Sequence, residues 1–180
     1  MLQYQAVDAA TLELLKKLQA IDAFEDLRLV GGTSLALQYG HRKSIDIDLF
    51  GKLNMDSFLI NNLLAELGEV RKINDSKNIH IYIINGIKTD IVNYQYPWIG
   101  KLIREDGLRL ADKKDIAAMK LSAISGRGTK KDLYDLYLLL KEMPLSVMLN
   151  LYQKKYKDGS LFLVLKSLVY FDDADKDVRP

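Results

Sequence analysis

The hydrophobic pattern changes period once along the chain, and that change limits the fold more than any composition figure. Before about residue 112 short alternating runs mark strands, whereas from about residue 113 apolar residues recur at helical spacing. Strands first and helices second predict an α+β protein. The expected architecture is a mixed sheet with flanking helices over residues 1–112, followed by a C-terminal helical bundle packed on it over residues 113–180.

Within the first part, residues 8–20 bring Ala9, Leu12, Leu15 and Leu18 to one helical face, with Asp8 as N-cap. Leu27–Val30 reads as a short strand that stops at Gly31-Gly32. Thr33 or Ser34 would cap a helix running to Tyr39 and ended by Gly40. Residues 44–50 alternate strictly and predict a half-buried strand, and residues 56–67 an amphipathic helix. Asn85-Gly86 lies between the apolar runs Ile79–Ile84 and Ile87–Tyr94, the composition of a tight hairpin. Helices are predicted at 113–124, 130–142, 145–156 and 160–170.

Composition excludes several chemistries. With no cysteine, disulfides, thiolate catalysis and cysteine-built zinc sites are ruled out, and two histidines are too few for a histidine-rich metal centre. A net charge of +2 does not by itself argue for nucleic acid. No apolar run is long enough to span a bilayer, and the start, Met1-Leu2-Gln3-Tyr4-Gln5, lacks a signal-peptide pattern. A soluble, cytoplasmic protein without membrane partners is expected.

Asp46 and Asp48 stand two apart in the alternating stretch, so both carboxylates should share one face while Ile45, Ile47 and Leu49 anchor the other. Crowded carboxylates repel unless a cation neutralises them. Asp90 lies inside the second arm of the hairpin and shares its face with Lys88 and Val92. If the two strands are neighbours, three acids converge to hold magnesium or manganese. Alternating aspartates also describe an ordinary solvated sheet face, and that alternative stays open for the pair alone.

The upstream turn Val30-Gly31-Gly32-Thr33-Ser34 joins a strand to a helix start, where backbone amides and hydroxyls suit a phosphate. A tight turn with a capping hydroxyl would look the same. Followed by Asp46-Ile47-Asp48, it resembles the first motif of the nucleotidyltransferase superfamily. "LVGGTSLALQYGHRKSIDIDLF", "DIAAMKLSAISGRGTKKDLYDLYLLL" and "VLKSLVYFDDAD" together resemble the AbiEii/AbiGii toxins of bacterial toxin–antitoxin and phage-defence systems, over residues 27–177 or so.

The resemblance implies a nucleotidyltransferase core and a metal-dependent enzyme moving a nucleotide from an NTP to an acceptor, with tRNA ends as the family precedent and an antitoxin as partner. It implies triphosphate contacts from Gly31, Gly32, Thr33 and Ser34, and metal binding by Asp46, Asp48 and Asp90. Gly31-Gly32 stands where the superfamily often has Gly-Ser, so the following hydroxyls would have to substitute. Arg42 and Lys43, just before the acidic strand, are further candidate triphosphate contacts.

Lys120, Lys131, Asp132 and Asp135 fall in a later family motif, in which Lys120 or Lys131 would neutralise phosphate charge with Asp132 or Asp135 orienting it. They also fit a Thr129-x-x-Asp132 capping box and a surface Lys131–Asp135 pair. Arg127 would meet a phosphate or sit in a solvated loop, and Tyr94, Tyr96 and Trp98 would stack on a base or close a core. His41 is a loop histidine, and Asp172–Asp177 reads as a solvated terminus. Two other functions fit the same residues: a small-molecule, antibiotic-type nucleotidyltransferase, and a nucleotide-binding module without turnover.

Overall fold

The computed structural model describes residues 1–126 and 128–169; Arg127 and the acidic run 172–177 lie outside the described residues. Its strands are β1 (Arg28–Leu29), β2 (Ile47–Gly51), β3 (Val70–Asp75), β4 (Ile79–Ile84), β5 (Ile87–Asn93), β6 (Ile103–Glu105) and β7 (Leu108–Leu110). They form one mixed sheet in the order β3-β4-β5-β2-β1-β7-β6. Pairing is parallel between β2 and β5 and between β1 and β7, and antiparallel elsewhere. The helices are α1 (Ala9–Gln19), α2 (Gly31–Tyr39), α3 (Ser57–Ala65), α4 (Lys113–Gly126), α5 (Lys130–Leu140), α6 (Leu145–Lys155) and α7 (Leu161–Leu168). Among the described residues no helix is long and apolar enough to cross a membrane.

The chain divides into two compact units. The first comprises Met1–Gln95 and Leu102–Ala111, and the second Tyr96–Lys101 with the chain from Asp112 on. The boundary differs from a single cut at residue 112, because the six-residue segment 96–101 belongs with the helices.

In the first unit, α1 begins where the Asp8 carboxylate accepts Thr11 N–H at 2.9 Å, and this bond holds the Asp8 carboxyl below its ordinary range. Leu15 and Leu18 of α1, Ile60 and Leu64 of α3, and Leu37 of α2 join Ile47, Leu49, Tyr82, Ile84 and Ile91 of the sheet in one core. Burying a side chain of this kind stabilises by roughly 1.5–3 kcal/mol. The hairpin β4–β5 turns through Asn85 and Gly86, both at positive φ (50° and 82°), as an Asn-Gly turn requires.

Strand β2 is shorter than its sequence pattern. It starts at Ile47 rather than Ser44, and Ile45 is 61% exposed instead of anchoring a core. The cause is local. Ser44 N–H donates to Ala6 O at 3.0 Å and the Ser44 hydroxyl meets Thr33 Oγ1 at 2.8 Å, so residues 44–46 are held outside the ladder.

In the second unit, Asp115 of α4 accepts Ile99 N–H at 2.9 Å and Gly100 N–H at 2.7 Å. Lys155 of α6 donates to the same carboxylate at 2.7 Å and to Pro97 O at 2.8 Å, with its ammonium 4.6 Å from the Trp98 ring centre. Both side chains are fully buried in this contact. The pair clasps segment 96–101 to α4 and α6, which is why the segment joins the helical unit. Removing one partner of a buried pair strands the other charge, at a cost of about 3–5 kcal/mol. Lys155→Met is therefore expected to lower unfolding free energy by about that amount, measured by urea denaturation followed through Trp98, the only tryptophan.

Candidate active site

Side chains of β2 and β5 alternate across the sheet. Ile47 and Leu49 enter the core with Thr89 and Ile91, which sends Asp48 and Asp90 to the opposite face. The parallel register sets Asp48 directly beside Asp90, on strands that neighbour at roughly 5 Å. Both acids are half-buried, while Asp46, one step ahead of the ladder, is exposed. Lys88, two residues before Asp90, donates to its Oδ1 at 2.6 Å.

The glycine turn lies against this strand. Val30 N–H donates to Asp48 O at 2.9 Å, the continuation of the β1–β2 pairing. Gly31 then opens α2 at φ +69°, and a Cβ there would collide with the Asp48 carboxylate. Glycine suits both conditions, since other residues rarely adopt this backbone and any side chain would have to push the Asp48 carboxylate aside. The N-cap of α2 is Val30, which has no side-chain cap to offer, rather than Thr33 or Ser34. The helix start therefore presents backbone N–H groups and partial positive charge to a ligand.

The hydroxyls expected on the triphosphate are turned inward. Thr33 and Ser34 are buried. Thr33 Oγ1 donates to Asp46 O while accepting from Ser44, and Ser34 Oγ accepts from Gln38 Nε2 at 3.1 Å. Thr33 thereby fixes the backbone of Asp46 against α2. The flanking cations are also engaged: Lys43 Nζ donates to Gln5 O, and Arg42 Nη1 to Lys43 O at 3.0 Å.

Among the described residues no three carboxylate or imidazole groups stand close enough to enclose a metal ion. The expected Asp46–Asp48–Asp90 cluster is thus a pair in register with Asp46 standing ahead of it. Two neighbouring oxygen donors with an open side still fit a magnesium-type ion, which binds through one or two carboxylates and completes its shell with water and substrate phosphate.

Lys120, Asp132 and Asp135 belong to the second unit and are nearly fully buried. Lys120 Nζ donates to Asp132 Oδ1 at 2.9 Å and pairs with Asp135 Oδ2 at 2.7 Å. Thr129 caps α5 and donates to Asp132 Oδ2 at 2.6 Å, the capping box legible in the sequence. The surface pair Lys131–Asp135 does not form: Lys131 is exposed, whereas Asp135 lies on the buried stripe with Asp132, Leu136 and Leu139. The aromatic candidates each meet a neighbouring ring or cation, although Tyr96 stays 49% exposed. Tyr94 is buried, its ring 5.3 Å from Phe50, and Tyr96 stacks edge-on with Tyr156 at 4.7 Å. His41 meets the Tyr39 ring edge-on.

Two groups escaped sequence reasoning. Lys88 was visible only as a neighbour on the face of Asp90. The Asp115–Lys155 clasp spans forty residues and leaves no local signal.

Comparison with known proteins bears on the family and the fold. An uncharacterized Aquifex aeolicus protein, aq_aa25, is 38% identical over 172 residues, covering 92% of this chain and 84% of that one. Among solved structures, the antibiotic-resistance factor ANT(2'')-Ia superposes with a TM-score of 0.60 at 17% identity, covering 79% of this chain and 89% of its own. MenT4, a nucleotidyltransferase toxin of Mycobacterium tuberculosis, gives 0.55 at 16% identity over 79% of this chain and 61% of its own. At such identities the structures establish a shared nucleotidyltransferase fold. The model of the AbiEii nucleotidyl transferase toxins of type IV toxin–antitoxin systems matches residues 13–107 and 99–178, and the chain belongs to that family.

Proposed function

We propose that this protein is a metal-dependent nucleotidyltransferase that moves a nucleoside monophosphate from an NTP to an acceptor, as the toxin of a toxin–antitoxin or phage-defence pair. What supports it is the register that sets Asp48 beside Asp90 with Gly31 packed beneath Asp48. Asp48 and Asp90 would hold magnesium or manganese, with Asp46 as a further candidate ligand. The ion supplies charge neutralisation at the phosphates and lowers the cost of deprotonating the acceptor.

The chain's own groups do the positioning. The amides at the start of α2 bind triphosphate oxygens, and Gly31 permits that approach. The acceptor oxygen bonds to the α-phosphorus as the bond to pyrophosphate breaks, and the acceptor proton leaves to a carboxylate or water. Lys120, Asp132 and Asp135, linked to catalysis by the family motif, act by fixing the helical unit rather than through exposed charge.

An RNA end, tRNA first, is the acceptor we favour. A toxin must strike something every cell needs, and a terminal ribose offers a hydroxyl nucleophile. RNA as target also places the protein in the cytoplasm, with its antitoxin as partner. The fold shared with ANT(2'')-Ia supports a second reading, a small antibiotic-like acceptor. Incubation with each α-phosphate-radiolabelled NTP and total RNA, protein or aminoglycosides separates them. Label in RNA is the expected result; label only in the aminoglycoside fraction overturns the RNA assignment, and none anywhere overturns transfer itself.

Two substitutions bear on the site. Asp48→Asn should reduce transfer about a thousandfold, several kcal/mol of transition-state stabilisation. Its thermal midpoint should stay level or rise, because one of two neighbouring charges is gone; full activity would remove Asp48 from the site. Gly31→Ala should lower stability by at least about 1–2 kcal/mol from its backbone conformation alone and displace Asp48. Calorimetric binding of NTP with Mg²⁺ should weaken accordingly, and wild-type affinity would show that the turn does not face the nucleotide.

A further inference from the structure

We propose that Lys88 exchanges partners at the active site: it holds Asp90 while the site is empty and turns to the triphosphate when a divalent ion takes its place. This builds on the metal-dependent transfer proposed above. The ion pair Lys88–Asp90 is short, 2.6 Å, with Asp90 18% exposed but Lys88 44% exposed. A side chain so open can swing without disturbing the core.

Its position is set by the sheet. Lys88 and Asp90 share the face of β5 on which Asp48 stands beside Asp90, while Asp46 lies ahead of the ladder. The ammonium thus stands on the face of the paired acids. Without a cation, two in-register carboxylates repel, and Lys88 relieves that repulsion from the same face. An ion at Asp48 and Asp90 performs the same service with two charges, and it competes with the ammonium for Asp90 oxygens. Once displaced, Lys88 remains a flexible point charge beside the bound ion, where a polyphosphate is the available anion.

Two binding steps should therefore respond to Lys88→Met in opposite directions. Mn²⁺ titrated alone should bind about fivefold more tightly, because no ion pair has to open and a half-exposed pair is weakly held. Inorganic tripolyphosphate titrated at saturating Mn²⁺ should bind about tenfold more weakly, because the released cation is missing. Lys88→Arg should restore tripolyphosphate affinity, and matching thermal midpoints would confirm that all three proteins are folded.

Opposite shifts support the exchange. Equal weakening of both ligands would make Lys88 merely structural, and no change in either would leave it a surface pair; each result overturns the proposal. If wild-type protein binds neither Mn²⁺ alone nor Mn²⁺ with tripolyphosphate, the metal-dependent reading itself falls, a failure distinct from that of the exchange.

Discussion

The pairing of β2 with β5 sets two acids side by side, and its register is fixed by the core rather than by the acids. A slip of one residue would bring Thr89 and Ile91 to the open face and drive Lys88 and Asp90 into the packing of Leu49 and Tyr82. Burying an unpaired charge costs several kcal/mol. Two carboxylates on strands about 5 Å apart repel by roughly 1–3 kcal/mol at effective dielectrics between those of water and a protein surface. The hydrophobic side prevails, so the fold tolerates a local repulsion that Lys88 partly offsets. Because β2 and β5 are parallel, the chain between them must cross over, and it does so through α3 and the β3–β4 pair. α3 thus closes the core face beneath the acids.

The glycine turn shows why a motif can be legible while the roles of its residues are not. Position in sequence placed Gly31 beside the acidic strand, and composition suggested hydroxyl donors at Thr33 and Ser34. The helix starts at least three residues earlier than a hydroxyl cap at Thr33 or Ser34 would have it, because Gly31 itself takes the turning conformation. With the start at Gly31, Thr33 comes round to the inside and ties the Asp46 carbonyl to Ser44. The strand is shortened by the same contacts. No periodicity argument contains that information, since it depends on two segments meeting.

Elsewhere, legibility followed the strength of local chemistry. The α+β class, the Asn85-Gly86 hairpin and the caps Asp8 and Thr129 are set by residues within a few positions of each other, and they were readable. Strand β3 gave no alternation because five of its six residues are exposed at the sheet edge. The β6–β7 hairpin turns through Asp106 and Gly107 at φ 51° and 79°, the same turn chemistry, but its three-residue arms are too short for a period to register. Arg109 in that hairpin is mostly buried, donating to Phe24 O at 3.1 Å, and burial pushes its guanidinium below the usual range. Its partners lie more than eighty residues away.

The same distinction between local and assembled constraints tells which parts of the site can move. The Asp48 carboxylate lies over Gly31, the Val30 amide is bonded to the Asp48 carbonyl, and Thr33 holds Asp46. Shifting any of these would strain the others, and close-packed interiors transmit such strain rather than absorb it. Lys88 alone among the charged groups described there combines a flexible four-carbon stem with substantial exposure and a bond to a site acid. A rigid acidic pair with one mobile cation can change its charge without changing its backbone. For the proposed transfer, in which the site would accept a divalent ion and a polyanion in turn, that is the cheaper adjustment, because rotating a lysine costs at most about 2 kcal/mol of rotamer freedom while re-registering a strand would expose the core.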